Sequence, residues 1–229
     1  MEKTLYKLIP SDFAYLWEEC KHCYYQKVKF GIYYGGVFPS MFSRINTLLQ
    51  NSIMGMNLQD IHPDLPYGII EVQEGYLKSI PFPFAPDCFI SGRFDILSRL
   101  PDGTYALIDF KITTPEPEKI QKYATQLHAY KFALENPGDG QKPLKISKMG
   151  LVSILPKEMK LTNGRIVFTS TPAFHPVEEN TESFQKLIKE ISKLLNGPLP
   201  EVSETCGLCI YRKKFEPTEK ELEVDDIPF

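Results

Sequence analysis

The amino-acid sequence predicts an α/β fold: a mixed sheet of three antiparallel strands, a crossover helix and further strands, flanked by helices. Three observations predict it. Helical periodicity governs the N-terminal quarter of the chain. Three segments rich in Ile, Leu, Phe and Tyr then follow one another at residues 69–79, 88–99 and 104–111. Finally, a long amphipathic segment separates these from later strand-like stretches.

The elements can be justified in order. SDFAYLWEECKHCYYQ begins with Ser11 as an expected N-cap, and Phe13, Leu16, Trp17, Cys20 and Tyr24 recur at helical spacing. One helix is therefore expected to carry both Cys20 and Cys23. Ser40 is placed to cap a second helix, MFSRINTLLQNSI, and NLQDIHPDLPYG reads as a loop from its Asn, Asp, Pro and Gly content. Leu100-Pro101-Asp102-Gly103 has the chemistry of a hairpin turn between the second and third strands. Residues 116–135 open with acidic and proline residues suited to a helix N-terminus, and Ile120, Tyr123, Leu127, Tyr130 and Leu134 make one stripe. A strand that leaves through a helix and returns beside its origin normally makes a right-handed crossover, so the 104–111 and 146–155 strands should be parallel neighbours. A strand at 163–172 and a helix near 181–195 complete the expected fold.

A chain of 229 residues can bury one good core. Residues 1–212 are expected to form one domain, and 213–229 a charged tail without clear periodicity. MEKTLYKLIPSDF lacks the apolar core of a signal peptide, and no apolar run nears the roughly 20 residues needed to span a bilayer. No membrane association and a cytoplasmic location are expected. The formal net charge of -3 argues against indiscriminate coating of duplex DNA, which demands an excess of Lys and Arg, but it leaves room for a local basic groove.

The chemistry concentrates on the second and third strands. Asp95 and Asp109 lie on hairpin partners, so the turn can bring two carboxylates together, the oxygen donors that hard cations such as Mg²⁺ require. Lys111 is two residues beyond Asp109, and strand alternation points both side chains to the same face. A cation held by such a pair can polarise a phosphoryl oxygen and acidify a bound water, while the lysine orients that water or meets developing charge.

Gly92-Arg93-Phe94-Asp95, Asp109-Phe110-Lys111 and Gln126-Leu127-His128-Ala129-Tyr130 resemble, in order and spacing, the G-x-x-D, D-x-K and Q-x-x-x-Y motifs of RecB-like PD-(D/E)xK nucleases. That branch includes the iron-sulfur nucleases associated with CRISPR adaptation. The resemblance spans roughly residues 10–212 and implies a restriction-endonuclease-like fold. It implies Asp95, Asp109 and the Phe110 carbonyl as ligands of Mg²⁺ or Mn²⁺, Lys111 as the catalytic lysine, and Gln126 and Tyr130 as support for the site or for the DNA strand. The implied activity is hydrolysis of DNA phosphodiester bonds, on single strands or ends, in repair, recombination or mobile-element defence. Many members carry a metal-binding His on the second helix; MFSRINTLLQNSI has none, which leaves Asn46, Gln50 or a water to fill the gap. The competing reading is an adaptor on a nuclease fold that has lost activity with that His.

Cys20, Cys23, Cys206 and Cys209 form two C-x-x-C pairs, and Cys88 stands alone as a buried strand residue. Four thiolates suit either Zn²⁺ or a [4Fe-4S] cluster, and the spacing does not choose between them. A thioredoxin-like role is not expected, because neither pair opens a helix after a strand. The resemblance implies the iron-sulfur cluster, usually held by one N-terminal and three C-terminal cysteines; here the pairs would supply two and two. Finally, Asp225-Asp226-Ile227-Pro228-Phe229 resembles the tip of bacterial single-stranded DNA-binding proteins. That implies, as partners, enzymes that recognise such a tip.

Overall fold

The computed structural model describes residues 4–33, 40–114 and 116–214. The chain runs β1 (Tyr6–Leu8), a short α1 (Pro10–Asp12) passing into a π-helical turn (Phe13–Trp17), α2 (Lys21–Phe30) and α3 (Ser40–Ile53). It continues through β2 (Ile69–Lys78), β3 (Cys88–Arg99), β4 (Tyr105–Lys111), α4 (Pro117–Glu135) and β5 (Ile146–Ser153). The remainder comprises β6 (Glu158–Thr162), β7 (Arg165–Thr169), β8 (Ala173–Pro176), α5 (Thr181–Asn196) and α6 (Gly207–Lys214).

A mixed sheet of order β1-β3-β4-β5-β8, with β2 also paired to β3, forms the centre. β2, β3 and β4 are antiparallel neighbours, and β5 returns parallel to β4 after the α4 crossover. The hairpin turn forms as its sequence demands. Gly103 adopts φ +80, its N–H donates to the Leu100 carbonyl, and Asp102 Oδ1 accepts from the Thr104 N–H and hydroxyl at 2.9 and 2.6 Å.

Strand alternation divides the core between the two faces of the sheet. Leu107, Met149 and Leu151 join one cluster with Tyr123, Leu127, Tyr130 and Leu134 of α4 and Phe184, Ile188, Ile191 and Leu195 of α5. Ala106, Ile108, Phe110 and Val152 join the other, with Ile53 of α3 and Leu58 and Leu65 of the loop that follows. Asp109 and Lys111 have the parity of Leu107, so they face α4. The large side chains of these clusters each contribute about 1.5–3 kcal/mol of burial, which fixes α4 over the end of β4.

Several expectations need correction. The first helix begins at Pro10, with Ile9 rather than Ser11 in the cap position, because proline needs no N–H partner and presets the helical φ. It does not continue through both cysteines. Cys20 is extended, at φ -157, and acts as N-cap of α2. Both cysteine pairs therefore open a helix, though neither follows a strand. The expected strand at 163–172 forms, shortened, as β7, but outside the central sheet: Asn163 and Gly164, at φ 50 and 73, make the tight turn of an exposed β6–β7 hairpin, and β8 supplies the sheet edge. β1, parallel to β3, and α6 have no counterpart among the expected elements. α6 continues to Lys214, two residues into the expected tail, and Asp225–Phe229 lie outside the described residues. No helix among the described residues is long and apolar enough to cross a membrane.

Candidate metal-dependent active site

The β3–β4 register pairs Ile96 with Ile108, so Asp95 and Asp109 are the next opposed positions. The Phe110 N–H donates to Asp95 Oδ2 at 2.8 Å, fixing one carboxylate to the strand that bears the other. Lys111 Nζ lies 2.7 Å from Asp109 Oδ2. α4 completes the group from above. Gln126 Nε2 donates to Tyr130 Oη at 2.7 Å and reaches Asp109 Oδ1 at 3.4 Å, so the glutamine, held by the tyrosine, braces Asp109. Gly92 has a local reason as well: a Cβ there would stand 3.1 Å from Pro10 and 3.6 Å from the Tyr130 ring. The glycine lets Tyr130 and the N-terminal turn approach β3. The structure thus brings together Asp95, Asp109, Phe110, Lys111, Gln126 and Tyr130.

Burial makes the charges costly. Asp109 is 2% exposed and Gln126 4%. Burial first, then the neighbouring Asp109, pushes the Asp95 carboxyl up to about 7, against the opposing pull of Lys111 and the Phe110 N–H. Burial alone would lower the Lys111 ammonium, but Asp109 and Asp95 outweigh it, so Lys111 is held above its usual range and stays charged. Two close carboxylates with one lysine leave a negative excess and hard oxygen donors, which fits a divalent cation of the Mg²⁺ or Mn²⁺ kind.

The site opens into a cleft of about 340 Å³ lined by Asp95, Phe110, Lys111, Ile112, Thr113, Tyr15, Tyr123, Ser43 and Asn46. A larger cleft of about 730 Å³, near His128 and Glu179, lies away from the carboxylate pair. Asn46, one of the two candidates for the gap left by the absent histidine, therefore borders Asp95 and Lys111. Gln50 lies one turn further along α3, 1% exposed, and neither its Nε2 nor its Oε1 has a hydrogen-bond partner among the described residues. Such an orphaned amide is costly.

Two features escape a reading of the sequence. Glu74 lies between Gln73 and Gly75, which pair with Ile96 and Phe94, so it stands across from Asp95 and its charge helps raise that carboxyl. Its φ of 46 is unusual for a non-glycine residue. The hairpin register could have located it. The Tyr15 and Tyr123 hydroxyls, hydrogen-bonded at 3.0 Å on the cleft wall, come from elements distant in sequence and carry no such signal.

The histidines hydrogen-bond within the fold. The His128 ring joins the Ala124 carbonyl at 2.8 Å and accepts the Asn180 N–H at 2.8 Å; His22 contacts the Pro200 carbonyl at 2.7 Å, and His175 the Ser153 hydroxyl at 3.0 Å. Asp64 N–H donates to His62. Cys88 is buried at the start of β3, which pushes its thiol up to about 12. Cys20, Cys23, Cys206 and Cys209 gather with every Sγ within 4.8 Å of the others, so the two chain ends meet at a group able to hold a metal.

The mixed sheet flanked by helices is consistent with a restriction-endonuclease-like fold, and its facing carboxylates offer the donors of a divalent-cation site. The family model for the PD-(D/E)XK nuclease superfamily matches residues 47–213, and the chain belongs to that superfamily. No curated protein matches the sequence. Among solved structures, that of SSO0001 is similar at 15% identity and a TM-score of 0.46, over 84% of this chain and 77% of the other.

Proposed function

We propose that the protein hydrolyses phosphodiester bonds of DNA, on single strands or at ends, with Mg²⁺ or Mn²⁺. The observation that carries this reading is the buried Asp95–Asp109 pair with Lys111 2.7 Å from Asp109, at the wall of an open cleft. Asp95, Asp109 and the Phe110 carbonyl would hold the ion. When bound, the ion would supply Lewis acidity and charge neutralisation at the scissile phosphate. Lys111, kept charged by its two carboxylate neighbours, orients the attacking water or meets the charge that builds on the phosphoryl oxygens. Gln126, held by Tyr130, would keep Asp109 in place, or the pair would support the DNA strand.

One feature favours unpaired strands as substrate. Tyr15, 55% exposed, lines the cleft with Lys111, and its aromatic face suits stacking of an exposed base. The test is incubation of end-labelled single-stranded and duplex DNA with Mg²⁺, Mn²⁺ or a chelator. Metal-dependent cleavage, faster on single strands or frayed ends, is expected. Absence of cleavage under every metal condition would overturn the reading and favour a binding role for the scaffold.

A further inference from the structure

We propose that Cys20, Cys23, Cys206 and Cys209 hold a single, tetrahedrally coordinated Zn²⁺, and not the four-iron cluster that the resemblance implies. The sulfur spacing carries this. Cys20 and Cys209 Sγ are 3.6 Å apart, Cys23 and Cys209 3.5 Å, Cys23 and Cys206 3.9 Å, and all four lie within 4.8 Å of one another. One zinc with bonds of about 2.3 Å at tetrahedral angles separates its ligand sulfurs by about 3.8 Å. A four-iron cluster places each thiolate on its own iron, beyond the cluster's edge, and so needs sulfurs on the order of 6 Å apart. A two-iron cluster would divide the cysteines into separated couples. Here the short distances run through Cys23 and Cys209 to both other sulfurs, which leaves one centre.

The surroundings resist the expansion a cluster would require. All four cysteines are buried and pack against Leu16 and Leu208. The Cys20 N–H donates to the Leu16 carbonyl at 2.9 Å, Cys20 Sγ accepts the Cys23 N–H at 3.4 Å, and the Cys206 N–H donates to Ser203 Oγ at 3.1 Å. Moving the sulfurs apart by about 2 Å, as a four-iron cluster demands, would break this packing. α2 and α6 each start immediately after the first cysteine of a pair, so two helix N-termini face the thiolates and offset the net negative charge of a zinc tetrathiolate. The ion would staple segments 189 residues apart, joining the N-terminal helices to α6.

This inference is independent of phosphodiester hydrolysis, because its test uses no nucleic acid. The full chain is produced with both iron and zinc supplied, purified without oxygen so that a labile cluster survives, and assayed for zinc, iron and acid-labile sulfide. About one zinc per chain, at least about tenfold over iron, with no labile sulfide, is expected. Exchange with Co²⁺ should then give the strong visible absorption of a tetrahedral tetrathiolate. Iron in place of zinc, with or without sulfide, or neither metal, overturns the proposal.

Discussion

Replacing Asp95 with asparagine should stabilise the metal-free protein at alkaline pH while abolishing its activity. The magnitude follows from the Asp95 carboxyl, which loses its proton near 3.8 in an ordinary setting and near 7 here, chiefly through burial and then through Asp109. That difference corresponds to at most about 4 kcal/mol. Because the folded value is the higher one, the folded chain holds a proton that the unfolded chain has released. The associated stability is fully present below about pH 4 and is lost as pH rises through 7. The substituted amide cannot ionise, yet its oxygen can still accept the Phe110 N–H. Urea unfolding from pH 5 to 8 in chelator should therefore show wild type weakening with pH and the Asp95→Asn variant weakening less. The gap at pH 8 should reach a few kcal/mol in the variant's favour. Mn²⁺ at pH 8 should restore wild-type stability by mass action and leave the variant unchanged. Parallel pH profiles for the two proteins would refute the reasoning.

Lys111→Ala should lower the cleavage rate by about 100-fold or more while Mn²⁺ binding, read by calorimetry, persists. Gln126→Ala removes the donor to both Tyr130 and Asp109 and should cost about 1–3 kcal/mol in denaturant unfolding, with a smaller loss of rate than Lys111→Ala. Gly75→Ala places a Cβ 2.2 Å from Phe94 Cζ, so the ring that covers this glycine must move. A loss of about 1–3 kcal/mol in thermal unfolding is expected, and an unchanged midpoint would contradict the packing.

What the sequence reveals depends on the range of the interaction. The 69–111 hairpins and the crossover helix are legible because alternation, a Pro-Asp-Gly turn and a 3.6-residue stripe are local signals, and the site follows from that register. β1 is illegible: three residues pairing parallel with Cys88–Ile90 carry almost no local pattern. The Asn163-Gly164 turn is itself a local signal, but the apolar run Ile166–Phe168 beside it reads as one longer strand. Helicity across Cys20 is over-read because the apolar spacing continues through the break, while the extended Cys20 backbone answers to the sulfurs of Cys206 and Cys209, contacts no local pattern encodes. Glu74 and the Tyr15–Tyr123 wall depend on register and tertiary packing in the same way.

The central claim is that the β3–β4 carboxylates make a hydrolytic metal site. The most direct measurement is single-turnover cleavage of end-labelled single-stranded DNA in Mg²⁺ or Mn²⁺ by wild type and by Asp109→Ala, with folding of both checked by circular dichroism. Metal-dependent cleavage by wild type, lowered by at least about 1000-fold in a folded Asp109→Ala protein, is the predicted result. Equal cleavage by the two proteins would contradict the account.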